Sequence, residues 1–262
     1  MLTRSLDKAR EAYKRRDVEA GRAAHLQPPE AHREEQGKYI KSLVYGGLDG
    51  IITTFAVVAG VAGASLSSGV ALILGVANLV ADGLSMAVGD YLSTRAENEY
   101  KAAERQREAW EVAHFPEGER LEMVELYEGK GILRADAEAM ADILAKYPRA
   151  WVEVMMAEEL GLVGEDESPL ANAIMTFVSF ALFGFLPLTA FFAAPVFGWI
   201  KDHLFATASI ITGAALFILG AFKVRITGQS WLRSGLEMLL VGGLAAAAAY
   251  FIGDVLAGWA KM

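Results

Sequence analysis

Charge is withheld from long stretches of this chain and concentrated in one. Residues 169–200, 204–222 and 238–253 hold no Asp, Glu, Lys or Arg, whereas 27 of the 73 residues from Ala96 to Ser168 are ionised, 19 acids and 8 bases. Apolar runs of that length match the roughly 20 residues a helix needs to cross a hydrocarbon core about 30 Å thick. Hydropathy predicts five spans, at Tyr39–Leu66, Gly69–Thr94, Pro169–Ala194, Leu204–Phe222 and Ser234–Gly258. The first two are joined only by the uncharged, turn-forming Ala64-Ser-Leu-Ser-Ser-Gly69.

The polar insert between the second and third spans carries helical punctuation throughout. No Pro or Gly interrupts Arg95–Val112, so the second span is expected to run on as a polar helix until Pro116 breaks it. Glu117–Glu128 resumes helical spacing up to Gly129 and Gly131, Ala135–Tyr147 forms a further helix stopped by Pro148, and Arg149–Leu162 makes the last. The fold class expected is all-α: a polytopic membrane protein with five transmembrane helices and a cytoplasmic helical domain between the second and third. The divisions are 1–38, an N-terminal tail; 39–95, spans one and two; 96–168, the helical domain; and 169–262, spans three to five. Lys223, Arg225 and Arg233 flank the link between spans four and five. Bases at short loops face the cytoplasm, so tail, insert and that link are placed inside and the C-terminus outside.

Composition narrows the function. Mean hydropathy is +0.31, above the near-zero or negative value of a soluble chain, which excludes a simple soluble enzyme. The net charge of −8 leaves no surplus of Lys and Arg for phosphates, so nucleic acid is not an expected partner. Cysteine is absent, and any metal must be held by oxygen, imidazole or thioether. The first 38 residues, with 9 bases and 7 acids, lack an apolar stretch of signal-peptide type and read as a retained tail of amphipathic helical character. Their retention fits a bacterial inner membrane or a eukaryotic organelle, and the compact loops favour the former.

Acids stand where lipid should exclude them. Ser42–Thr94 contains Asp49, Asp82 and Asp90 and neither Lys nor Arg. An ionised Asp at mid-bilayer costs roughly 2.5–3.5 kcal/mol, so these acids must face protein, water or a cation. Asn78, Asp82, Met86 and Asp90 recur every four residues, a slowly drifting stripe of oxygen and thioether on one helix face. Asp49 sits in Gly46-Gly-Leu-Asp-Gly50, where glycine permits close helix approach or local unwinding.

A second constellation lies in the insert. Glu108, Glu111 and His114 are three apart, as are Glu119, Glu122, Glu125 and Glu128, and Met155, Met156 and Glu159 close the domain. A solvated acidic face accounts for such rows. The Pro116 corner and the Met-Met segment also let carboxylates converge with thioether beside them, a donor set suited to soft-to-borderline divalent metals.

The motifs Leu48-Asp-Gly50, Phe55-Ala-Val-Val-Ala-Gly60, Ser85-Met-Ala-Val-Gly-Asp-Tyr-Leu92 and Trp151…Met155-Met-Ala-Glu-Glu-Leu-Gly161 resemble, in order and spacing, the vacuolar iron transporter family, from about residue 39 to 258 with the tail outside. The resemblance implies a homodimer of five-span subunits whose cytoplasmic domain collects ferrous iron and passes it to a path at the dimer interface in exchange for protons. It implies that Asp49 and Met86 line that path and that Glu108, Glu111, Glu119, Glu122, Met155, Met156 and Glu159 are the cytoplasmic ligands. One position departs: plant members place a glutamate in the second span where this chain has Asn78, which can coordinate a cation but cannot shed a proton. Asp82, one turn on, is our own candidate to replace it.

The function expected is a proton-coupled transporter, not an enzyme, moving ferrous iron or manganese out of the cytoplasm. The metal is its substrate, and bilayer, protons and a second copy are its partners; no organic cofactor is expected. Two alternatives remain. A membrane di-iron oxidase would use Glu111-Val-Ala-His114, though such sites need two Glu-x-x-His motifs and only this one occurs. A membrane-anchored metal sensor or storage protein would need only one or two spans. The small-residue rows Ala56, Gly60, Ala64 and Ala81, Ser85, Gly89 fit a dimer interface or contacts within one subunit equally well.

Overall fold

A computed structural model describes residues 6–25, 34–164, 167–227 and 230–260, all helical or in short connections. The chain divides into two compact units, Met1–Lys41 and Ser42–Met262. In the first, the expected amphipathic stretch is two helices, α1 (Leu6–Arg15) and α2 (Val18–His25). The break falls where Asp17 Oδ1 accepts from Ala20 N at 2.9 Å and Arg16 takes a φ of +56°; an aspartate satisfies an orphan N–H better than a continued helix would.

Five helices are long and apolar enough to cross a membrane, with their apolar parts in the second unit: α3 (Glu34–Gly63, apolar from Leu43), α4 (Ser68–His114), α8 (Pro169–Ala193), α10 (Leu204–Thr227) and α11 (Trp231–Ala260). The five predicted spans are all present. α3 stays helical through Gly46-Gly-Leu-Asp-Gly50, so of the two uses of glycine the structure takes close approach. A Cβ at Gly46 would stand 2.9 Å from the Thr176 carbonyl oxygen, and one at Gly50 would collide with that of Phe180, so α3 lies backbone to backbone on α8. At the other end Gly60 and Gly63 meet Gly253 and Tyr250 of α11 just as tightly. The Gly60 row is therefore filled within the subunit. The Ala81, Ser85, Gly89 row on α4 is exposed, with nothing within 4 Å of a Cβ at Gly89.

The start of the α3 span, the insert, the end of α10 and the start of α11 lie at one end of the bundle. The 64–67 turn, the link carrying the short α9 (Gly198–Asp202) and the end of α11 lie at the other. Apolar side chains of α3, α4, α8 and α10 fill the far half around Phe55, Val58, Ala71, Leu188 and Ala208.

α4 is the axis of the site. Its 47 residues, free of Pro, make a rod about 70 Å long, of which residues 95–114 extend some 30 Å beyond the apolar part. The insert folds against that extension as α5 (Pro116–Gly129), α6 (Arg134–Leu144) and α7 (Pro148–Glu158) around Val112, Met123, Trp151, Met155 and Met156. α6 ends three residues before the expected Tyr147. That residue precedes Pro148, which bars it from helical geometry, and its φ of −130° and ψ of 74° show the consequence. α7 stops at Glu158 rather than Leu162, because Gly161 turns the chain with φ +66°.

Candidate metal centre

The corner at Phe115–Pro116 folds α5 back beside the end of α4 and brings carboxylates from two acidic rows together. Glu108, Glu111 and Glu119 each present an oxygen, and these oxygens lie within 4.8 Å of one another. Glu108 is 1% exposed and Glu119 5%. Glu122 and Glu159, on exposed positions at the rim, complete a set of five acids that act on one another electrostatically. A wholly solvated face is thus not what forms: Glu125, of the same row as Glu119 and Glu122, faces water, while Glu119 turns inward. Glu119 also lies in the first turn of α5, where the positive end of the helix dipole favours a carboxylate.

Like charges this close repel by about 3 kcal/mol per pair at an effective dielectric of 20. Two devices relieve them. Burial first, and then Glu122, Glu108, Glu111 and Glu159, push the Glu119 carboxyl up to about 7, so that near neutrality it is about half protonated. Glu159 is raised too, by desolvation of its carboxyl and then by Glu122, against the pull of Arg107. Arg107, invisible to ligand-spacing arguments, donates to Glu104, Glu108 and Glu111. One atom is left over: Glu119 Oε2 is buried with no hydrogen-bond partner. An unsatisfied buried oxygen among carboxylates is an acceptor awaiting a cation or proton.

Met155 and Met156 are fully buried, packed with Val112 and Met123, which adjoin Glu111 and Glu122 in sequence. The thioethers therefore lie in the apolar core of the insert. His114 goes elsewhere: its ring stacks on Trp110 at 4.5 Å and its Nδ1 lies 2.7 Å from the Trp110 carbonyl oxygen, both exposed. Because His114 is outside the clustered trio, the di-iron reading lacks its imidazole.

In the apolar half of α4, Asn78, Asp82, Met86 and Asp90 are all half-buried, as is Asp49 on α3. The Asp49 and Asp82 carboxylates interact electrostatically, and neither has a basic partner among the described residues. The Nδ2 of Asn78 is buried without a partner. Asp90 differs, accepting from Thr176 Oγ1 at 2.5 Å. Thr176 belongs to a buried polar edge on α8 that hydropathy concealed: Asn172 donates to Thr94 Oγ1 at 3.3 Å and Ser179 to the Leu43 carbonyl at 2.5 Å. The signal was present as Asn, Thr and Ser at i, i+4 and i+7 of an otherwise apolar span. Between membrane and cluster, Thr94, Lys101 and Glu108 repeat every seven residues as the buried polar line of α4, Lys101 held by Glu97 at 2.8 Å.

A family model described as the VIT family matches residues 40–254, and a vacuolar iron transporter of Toxoplasma gondii is 44% identical over 268 residues, covering 97% of this chain and 89% of its own. This chain belongs to the VIT family. A vacuolar iron transporter of Plasmodium falciparum is 36% identical over 98% of both chains, and vacuolar iron transporter 1 of Arabidopsis thaliana is 34% identical over 84% of this chain and 86% of its own. The first 38 residues, expected to lie outside the resemblance, are outside the family-model match and largely within the Toxoplasma and Plasmodium alignments. These VIT-family relatives are eukaryotic and named for the vacuole, so a bacterial inner membrane finds no support in them. The five apolar helices and the family membership together make the chain a membrane protein.

Proposed function

We propose that this chain transports a divalent metal, ferrous iron first and manganese as a second substrate, out of the cytoplasm in exchange for protons. The observation that carries the reading is the continuity of α4. One unbroken helix bears Glu108 and Glu111, beside the unpartnered Glu119 oxygen, at one end and Asn78, Asp82 and Met86 within its apolar half. Asp82 and Glu108 are 26 residues apart on it, about 39 Å along the axis. A cation gathered by Glu108, Glu111, Glu119, Glu122 and Glu159, with Met155 and Met156 supplying soft donors from the insert core, has a series of oxygens ahead of it. The names of the relatives support iron as the cargo.

The chemistry is competition. A carboxylate that binds metal must release its proton, so an inward proton gradient drives outward metal movement if both use the same acids. Asn78 cannot take part in that exchange, and Asp82 is assigned the role. The insert end of the bundle is placed in the cytoplasm, as the basic links imply, with the C-terminus on the far side. We also assign the exposed Ala81, Ser85, Gly89 row to a homodimer interface, since the neighbouring row through Gly60 is already used by α11. That places the Asn78–Met86 stripe at the edge of the junction between subunits.

Metal uptake into proteoliposomes with an imposed pH gradient tests the reading, using ferrous iron, manganese and cobalt in turn. Asp49→Ala and Met86→Ala are expected to abolish or strongly reduce uptake, and Asp82→Asn to uncouple it from the gradient. Uptake by Asp49→Ala and Met86→Ala equal to that of the wild type counts against the path. A sensor or store would bind metal without moving it, and five spans with half-buried acids exceed what an anchor needs.

A further inference from the structure

We propose that Arg107 is a tethered counter-cation that fills the acidic cluster between metal-loading events and so lowers its affinity for metal, with Glu104 as the residue that holds it when metal is present. The proposal rests on the metal-collecting role given above. Arg107 reaches three carboxylates of its own helix: Nε donates to Glu104 Oε2 at 2.9 Å, Nη2 to Glu108 Oε1 at 2.6 Å, and Nη1 to Glu111 Oε2. Two of these acids belong to the converging trio and the third does not. Glu104 lies outside it, on the side of Arg107 that leads back toward the membrane.

A planar guanidinium presents donors on separate edges, so it can release one pair of acids while keeping the other partner. The Arg107 side chain is 43% exposed, which gives it room to swing, whereas Glu108 is enclosed and cannot leave. A metal entering toward the free Glu119 oxygen needs the Glu108 and Glu111 carboxylates that Arg107 now engages. Metal and guanidinium repel and claim the same acceptors, so each binding event includes the displacement of Arg107 onto Glu104. Its return favours release. A collecting site in a transporter must let go of its ion, and a resident cation on a short tether does this without any change in the ligands.

A residue that merely shapes the cluster would act with the opposite sign, because its loss would loosen the ligands and weaken binding. The test is calorimetric titration of manganese into the detergent-solubilised full chain at pH 7.5. Arg107→Gln is expected to bind about fivefold more tightly than wild type, Arg107→Lys to fall between the two, and Glu104→Gln to bind about threefold more weakly, as Arg107 is freed onto Glu108 and Glu111. In the double variant the effect of Glu104→Gln disappears, since there is no arginine left to hold. Arg107→Gln binding equally or more weakly than wild type overturns the proposal, as does a Glu104→Gln effect that persists without Arg107. If Arg107→Gln does not fold, Glu104→Gln decides alone, weaker binding supporting the proposal and unchanged or tighter binding overturning it. Wild-type binding that is absent, or unaffected by Glu119→Gln, instead marks failure of the collecting role itself.

Discussion

At the residue scale the centre turns on Glu119, the acid with the most to lose from being charged. Its carboxyl is pushed up to about 7 from an ordinary 4.5, chiefly by burial. The folded state then binds a proton more tightly than the unfolded chain does. That stabilisation is full below pH 4.5 and is lost as pH rises through 7, a difference on the order of 3 kcal/mol. Without metal, the wild type is expected to lose thermal stability relative to Glu119→Gln as pH climbs from 5 to 8, as read by melting both in detergent. Metal reverses the slope, because it binds the ionised form. Manganese affinity of the wild type should fall below pH 7, and Glu119→Gln should cost at least tenfold at pH 7.5, as loss of one charged ligand warrants. The acids themselves were legible from spacing. Arg107 was not, because a basic residue among glutamates reads as an ordinary i, i+4 partner until three carboxylates are seen on it.

At the scale of elements, the decisive contact is α3 on α8. Gly50 has no room for a methyl group against the Phe180 carbonyl, and the obstacle is backbone, which cannot step aside. Gly50→Ala is expected to lower stability by about 1–3 kcal/mol and to reduce transport along with it; unfolding in a denaturing detergent series measures the first. Asp49 is its neighbour, so widening this seam also moves an acid of the proposed path. The glycine motif announced that something special occurs here, but periodicity could not say whether the helix would unwind or merely press close. The boundaries of α6 and α7 were shifted for a comparable reason. Tyr147 before Pro148 and the positive φ of Gly161 end helices locally, whatever the apolar spacing continues to suggest.

At the scale of the whole molecule, α4 joins two environments, and its exposed small-residue row is where the proposed homodimer contact is tested. Gly89→Trp adds bulk where this chain has open space, so it should leave the subunit's own stability within about 0.5 kcal/mol. It is expected to convert a dimer to a monomer by light scattering in detergent, whereas an unchanged mass would mean the row faces lipid. The same substitution should lower uptake if the path lies at the junction.

Five spans, a polar extension of the second and the acid rows were all determined by the sequence, because hydropathy, proline and charge act over a few residues at a time. Which acids turn inward, that His114 stacks on Trp110 and leaves the trio, that Asp90 is bound by Thr176 while Asp49 comes within electrostatic reach of Asp82, and which small row remains open were decided by tertiary structure alone. Those outcomes depend on the rotation of one helix against another. A rotation of 100° exchanges a residue for its neighbour on the facing side, and it is set by packing between segments far apart in the chain.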